Sequence, residues 1–402
     1  MNLAGNGRRG FAVPVALFYA ALFVVYGVCV PFLPVWLNWR GLTAGEISAV
    51  IAAPLFLRVL VTPVVAVAAD RGGTHRRYLV ALSWAALAFV VGLAIVQPFW
   101  PILIFATLLL ICNSTAMPLI DTIAVQGARL RGLDYGRLRL WGSLSFVAAS
   151  FAGGLAITEF GGGTGIWLIA AGCALTLLAA YAVPEQGKVD VPADILPPPL
   201  WKAAEPRELL AQREFQLFLI AGGFVQAAHA AFFAFGTLLW QKQGLSAAWC
   251  GTLWAIGVFA EVLLFTFSGR VAAKFGAVRL IAIGATASIL RWLVLAIEPS
   301  LIVLVPLQLL HGVTYGASHI GAMHFIHDAI PRDRSASAQA LYATVSAGIA
   351  MGVATLVAGY LYAQVGALTY VAMAAIAMIS LTAALRLIQI WNGRELVARS
   401  AI

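Results

Sequence analysis

The chain has 402 residues, of which 62% are hydrophobic and 10% charged, with a formal net charge of +9. A soluble domain carries about 25% charged residues, so this sequence lacks a polar skin and a bilayer must solvate most of its surface. Strand-like alternation is absent, which argues against a transmembrane barrel.

Along the chain, "MNLAGNGRRG" could open a signal peptide, but the apolar run behind it is long and shows no small-residue cleavage site. The first helix is therefore read as retained. Twelve apolar segments are expected near 11–37, 45–69, 77–97, 99–122, 138–159, 164–183, 214–241, 247–269, 277–297, 300–327, 335–363 and 366–390. Most match the roughly 20 residues that a helix needs to cross the hydrocarbon. Six precede the Pro- and charge-rich stretch "PEQGKVDVPADILPPPLWKAAEPRELLAQRE" and six follow it. That stretch reads as a linker over 184–213 with a short surface helix. The expected organisation is an all-α membrane protein of twelve transmembrane helices, in two pseudo-symmetric six-helix bundles spanning 1–183 and 214–402. Cys29, Cys112, Cys173 and Cys250 lie inside apolar runs, with no metal-ligand spacing or disulfide framework, and read as small buried hydrophobes.

Alternate loops hold the cations. One set includes Arg8 and Arg9, Arg71, Arg76 and Arg77, Arg129 to Arg139, Lys188 to Arg213, Arg270 to Arg279, Arg332 and Arg334, and Arg386 to Arg399; the other holds only Arg40 and Lys242. Cytoplasmic loops carry the Lys/Arg excess, which places both termini and the linker in the cytoplasm of a bacterial inner membrane. The excess is thus a topology signal, and no nucleic-acid motif accompanies it.

"GLTAGEISAVIAAPLFLR" begins at Gly41 and "GLSAAWCGTLWAIGVFAE" at Gly244, 203 positions later. Ala52 matches Ala255, Phe56 matches Phe259, Arg58 matches Glu261, and Gly73 matches Gly276 at the same offset. Parallel duplication explains this, and in a duplicated transporter the site is expected between the halves at mid-membrane. Pro31, Pro34, Pro54 and Pro63 can bend segments 1 and 2. Gly153, Gly154, Gly348 and Gly352 permit close helix approach.

A charge at bilayer depth costs about 2.5–3.5 kcal/mol on insertion scales and faces a cavity or a partner. The candidates are Arg58, Asp121, Glu261 and Arg291, with Arg139 at the mouth of segment 5. Helical spacing puts Gln308, His311 and Tyr315 on one face, and Gln226 and His229 on another. Phe232, Phe233 and Trp240 are their aromatic neighbours, while Ser143 and Trp254 complete the set expected to touch substrate. Such a lining, largely apolar with a few polar groups, suits an aromatic or amphipathic small molecule. There is no G-x-S-x-G, H-E-x-x-H, P-loop or paired-Cys motif, so neither an enzyme nor an ATP-driven pump is expected, and no cofactor or metal is implied. Intramembrane carboxylates make a proton the natural coupling ion.

Twelve spans, duplicated halves and "DRGGTHRR" together resemble the major facilitator superfamily. The resemblance implies that Asp70, Arg71, Arg76 and Arg77 latch helices at a cytoplasmic gate. "PLID" at 118–121, "LDYGRLRLWGS" at 133–143, "VQAAHAAFFAF" at 225–235, "GVFAEVLLF" at 257–265, "LRW" at 290–292 and "LQLLHG" at 307–312 are similar to the 3-phenylpropionate transporter branch. "YGRLRLWGS" more distantly resembles lactose permease. That likeness implies that Asp121 and Arg139 bind substrate and that Arg291 and His311 serve coupling. The permease's proton-bearing Glu falls here at Thr314, and its segment 8 Glu falls at Val258, one turn before Glu261.

The expected function is proton-coupled import of a small aromatic acid by a carrier that works as a monomer. Arg139 or Arg58 would meet the carboxylate, and Gln226, His229, Phe233, Trp240, Trp254, Gln308 and Tyr315 would line the site. Asp121 and Glu261 would carry or gate the proton, tuned by Arg291 and His311. A sugar or nucleoside symporter, a multidrug exporter and a non-transporting receptor are the alternatives.

Overall fold

The computed structural model describes residues 3–185 and 204–396, and among these the secondary structure is helical. Residues 186–203 of the expected linker lie outside the described residues; the short helix expected within that linker is present as α7, Ala204–Ala211. Ahead of it run α1 (Leu3–Trp39), α2 (Ala44–Gly72), α3 (His75–Ile95), α4 (Phe99–Arg131), α5 (Tyr135–Phe160) and α6 (Thr164–Ala182). After it come α8 (Arg213–Ala227), α9 (Ala230–Lys242), α10 (Ala247–Thr266), α11 (Ser268–Phe275) and α12 (Ala277–Ala296). The chain continues through α13 (Leu301–His311), α14 (Ser318–Ala329), α15 (Ser335–Ala343), α16 (Met351–Val365) and α17 (Thr369–Ile390). Pro31 and Pro34 lie inside an unbroken α1, and Pro54 and Pro63 inside an unbroken α2.

Eleven stretches among the described residues are long and apolar enough to cross a membrane. The last, Arg332–Ile390, has 59 residues, far more than one crossing of about 30 Å needs. Gly366, at φ 58°, ends α16 and starts a tight turn over Gly366–Leu368 that divides the stretch in two. Among the described residues the crossings therefore number twelve.

Two expected segments carry local irregularities. Segment 7 breaks between α8 and α9. There the His229 N–H donates to Gln226 O, three residues back (3.0 Å), while its ring Nδ1 bonds Val225 O at 3.0 Å. The side chain competes for a carbonyl that the helix ladder would use. Segment 10 contains a π-helical turn, Gly312–Ala317, between α13 and α14, and a second, Thr344–Ala350, joins α15 to α16. Such turns concentrate at functional sites.

The repeated Gly-Leu-hydroxyl-Ala phrase has a backbone explanation. In the first copy Arg40 N bonds Trp36 O, Gly41 N bonds Asn38 O and Leu42 N bonds Leu37 O. In the second, Gln243 N bonds Leu239 O, Gly244 N bonds Gln241 O and Leu245 N bonds Trp240 O, each partner displaced by the same 203 positions. Gly41 (φ 85°) and Gly244 (φ 91°) supply the positive φ that closes the preceding helix. The hydroxyl then opens the next one: Thr43 Oγ1 accepts from Glu46 N in a full capping box, and Ser246 Oγ accepts from Trp249 N at 3.3 Å. The phrase is helix punctuation, stop and start in six residues. Its recurrence is the physical mark of the duplication.

Contacts group the chain into two compact units, one containing Met1–Asp190 and Phe235–Ala255, the other Val191–Ala234 and Ile256–Ile402. In the first, α1 packs on α5 so closely that Ser150 Oγ donates to Gly27 O at 2.9 Å. Phe11, Phe18, Tyr19, Leu22, Leu119 and Ile120 form its core. The start of α10 also belongs to this unit and lies against α5. A Cβ on Gly251 would stand 2.1 Å from Ser150 O, and one on Gly154 would stand 2.4 Å from Ala247 O. Across the same seam Ala248 N donates to Thr158 Oγ1 at 3.0 Å. In the second unit Phe218 stacks on Phe325 at 4.4 Å, beside Phe215, Tyr342 and Leu387.

Candidate functional site

The second unit buries a connected polar chain built on Arg291, which is 0% exposed on α12. A guanidinium only donates, so each partner must accept. Nη1 donates to His311 Nδ1 at 3.0 Å and to Thr314 Oγ1 at 3.2 Å, and Nη2 donates to Gln308 Oε1 at 2.9 Å. Rings cover its faces: the guanidinium carbon lies 4.5 Å from the Phe232 centroid and 4.9 Å from that of Trp292. Acceptors and π-faces together offset the cost of burying the cation.

The tautomer of His311 follows from this pairing. Its Nδ1 accepts from Arg291, so a neutral ring carries its proton on Nε2, which lies 3.7 Å from Glu261 Oε2. Arg291, His311 and Glu261 thus form a directional chain from guanidinium through imidazole to carboxylate. Gly312 permits the approach of α10: a Cβ there would stand 2.8 Å from Ala260 O, a backbone atom.

Thr314 ties in a second histidine. His229 Nδ1 faces the carbonyls of Val225 and Gln226, which only accept, so Nδ1 donates and Nε2 accepts. Nε2 lies 3.2 Å from Thr314 Oγ1. Gln226 Nε2 donates to Ser318 Oγ at 3.2 Å. The rings of Phe233, Tyr315, His311 and Trp292 surround His229 at 5.0–5.8 Å between centroids. Six expected site residues of this unit, Gln226, His229, Glu261, Arg291, Gln308 and His311, therefore join one network, with Phe233 and Tyr315 against it. Thr314, which stands where the resemblance leads one to look for a proton-bearing Glu, is the hub between both histidines and the arginine.

In the first unit Asp121 and Arg139 do not form an ion pair among the described residues. Asp121 Oδ1 accepts from Tyr19 at 2.5 Å and from Tyr135 at 2.9 Å. The Arg139 guanidinium lies over Phe23 at 4.7 Å and over Tyr19 at 5.8 Å. Tyr19 thus touches both groups, its hydroxyl on the carboxylate and its ring under the cation. Ser143, one turn beyond Arg139, and Arg58 on α2 are half-buried in the same unit. Trp240 and Trp254 also belong to it, packed edge to face at 6.5 Å with Trp254 Nε1 donating to Thr237 Oγ1.

Around the expected gate, Gly73 (φ 59°) caps α2. Asp70 Oδ1 bonds His75 Nε2 at 2.7 Å. Arg76 donates to Tyr181 O at 2.7 Å, and Arg76 and Arg77 lie 3.9 and 3.8 Å from Glu185. Arg71 lies exposed in the last turn of α2. Tyr19, Tyr135, Phe23, Ser318 and Glu185 escaped the sequence reading, because each meets a partner on another helix, which spacing along one helix does not encode.

Comparison with known proteins agrees with this architecture. The model of the MFS_1 like family matches residues 13–372. A probable 3-phenylpropionic acid transporter of Escherichia coli is 32% identical over 372 residues, covering 90% of this chain and 94% of that protein. The maltose permease of Geobacillus stearothermophilus is 27% identical over 359 residues, covering 87% and 88%. The crystal structure of the nucleoside transporter NupG superposes with a TM-score of 0.81 at 17% identity, covering 98% of this chain and 100% of that one. By its twelve crossings, its duplicated helix punctuation and these likenesses, the chain belongs to the MFS_1-like family and is a multi-pass membrane transporter of the major facilitator fold.

Proposed function

We propose that the protein imports a small aromatic acid, phenylpropionate-like, together with a proton, by alternating access. The observation that carries this reading is the Arg291–His311–Glu261 chain, a cation, a titratable ring and a carboxylate in series within a membrane-spanning unit. Such groups are costly in a bilayer and are retained for ion coupling. Glu261 carries the proton and His311 relays it, with Arg291 fixing the ring and Thr314 linking His229 to the same chain. On the substrate side, Arg139 between the rings of Phe23 and Tyr19 suits an aryl carboxylate: the guanidinium pairs with the carboxylate while the rings meet the aryl group. Asp121 holds Tyr19 in place. The name of the Escherichia coli relative supports the same substrate class. Arg58, Ser143, Trp240 and Trp254 remain candidate substrate contacts, and Asp70, Arg71, Arg76 and Arg77 form the cytoplasmic gate.

In this reading two six-helix repeats, 1–183 and 214–402, are joined by the 184–213 linker. The protein acts as a monomer in the bacterial inner membrane with both termini cytoplasmic. Uptake of labelled phenylpropionate into proteoliposomes under an imposed pH gradient tests it. Accumulation that a protonophore abolishes is the expected result; accumulation indifferent to the protonophore overturns the coupling. Uptake of maltose or a nucleoside in place of phenylpropionate overturns the substrate class.

A further inference from the structure

The outer face of the second unit carries a groove of about 390 Å³ that the transport site does not use. Leu217 and Ile220 of α8 line one wall, and Met378, Ile379 and Thr382 of α17 line the other, with Arg386 at one end. The side-chain spacing explains the shape. Residues 378, 382 and 386 follow one another at four-residue steps along one stripe of α17, and residues 213, 217 and 220, at steps of four and three, share one face of α8. As parts of the seventh and twelfth crossings the two helices run antiparallel, and Ser380 Oγ, donating to Ala221 O, pins their register. Going along α17 from Ser380 to Arg386 therefore moves towards the start of α8, where Arg213 is its first residue. Arg213 and Arg386 are both exposed, and Arg386 is steadied by Gln389 Oε1 at 2.8 Å. The groove thus has apolar walls with Arg386 at one mouth, and the antiparallel register brings the exposed Arg213 to the same end.

We propose that this groove is a specific site for an anionic phospholipid. One acyl chain lies between α8 and α17, and the phosphate sits between Arg213 and Arg386. The location argues for a lipid: Met378 and Ile379 are about half exposed on a unit whose surface faces the bilayer. The charge selects among lipids, since basic pockets between transmembrane helices take anionic headgroups. A neutral or zwitterionic lipid would fill the groove equally well but would leave the two guanidinium groups without a net counter-charge.

The test uses the purified full-length protein in mild detergent, offered phosphatidylglycerol or phosphatidylcholine of matched chains, with retained lipid counted by native mass spectrometry. The wild type should retain phosphatidylglycerol in preference. Arg386→Gln and Arg213→Gln should each lower that preference about fivefold, and the double variant should bring the two lipids to parity. Thr382→Trp, which obstructs the groove from an exposed position, should lower retention of both. Arg279→Gln removes an exposed cation on α12 and should change nothing. Equal retention of the two lipids by the wild type overturns the proposal, as does a loss in Arg279→Gln matching that in Arg386→Gln.

Discussion

The seam between α5 and the start of α10 allows a sharp test of whether this contact opens during transport. In Gly251→Ala the new Cβ would stand 2.1 Å from Ser150 O and 2.9 Å from Ser150 C, both backbone atoms. Ordinary contact begins near 3.4 Å, so the two helices must part by about 1.3 Å. Neither neighbour is a flexible side-chain tip, and overpacking of this kind costs about 1–3 kcal/mol. The movement also stretches the 3.0 Å bond from Ala248 N to Thr158 Oγ1. If the seam opens during transport, the cost falls on the closed state alone and shifts the population by about 5- to 150-fold towards opening. A reporter is already in place. All four cysteines are buried, and Cys250 adjoins the substituted residue. Maleimide labelling of Cys250, mapped by peptide mass spectrometry, should rise several-fold in Gly251→Ala, and also in Gly154→Ala, whose Cβ would meet Ala247 O. A fall in thermal stability of several degrees with labelling unchanged would mean that the seam is permanent packing, and the reasoning would fail.

Arg291→Lys keeps the charge but presents one ammonium where three acceptors, on His311, Thr314 and Gln308, are held by a planar fork. It should lower gradient-driven uptake at least tenfold while substrate exchange without net proton movement persists; wild-type uptake in this variant would remove the network from coupling. Tyr19→Phe deletes the 2.5 Å bond to Asp121, a hydrogen bond to a charged group worth about 1.5–3 kcal/mol. It should raise the KM for an aryl carboxylate about tenfold or more, and an unchanged KM would separate Asp121 and Tyr19 from substrate. Glu185→Gln weakens two partly exposed ion pairs with Arg76 and Arg77. Because exposed pairs are worth about 0–1 kcal/mol, its thermal stability should move by no more than a few degrees, and a larger loss would mark Glu185 as a structural keystone.

The twelve crossings were legible because hydrophobic run length is read directly from composition, and the duplication because its two copies share a backbone task. Gly41 and Gly244 need positive φ, and Thr43 and Ser246 need an oxygen on the side chain, so the phrase survives as text. Gln308, His311 and Arg291 were named for the cost of burying them and do meet. What spacing could not give was the partner of a residue on another helix. Asp121 was expected to share a substrate with Arg139; its carboxylate accepts from Tyr19 on α1, 102 positions away, and from Tyr135 on α5, partners that spacing along α4 does not name.

The π-helical turn at Gly312–Ala317 sets the phase of everything after it. An α-helix advances 100° per residue, so the one surplus residue rotates Ser318, His319 and the rest of α14 by about that angle relative to His311. Excising a single residue there would leave His311 facing Arg291 while swinging Ser318 away from Gln226, uncoupling the two ends of the hydrogen-bonded chain. The turn therefore acts by rotation as well as by chemistry: an irregularity of one residue decides which side chains downstream look inward.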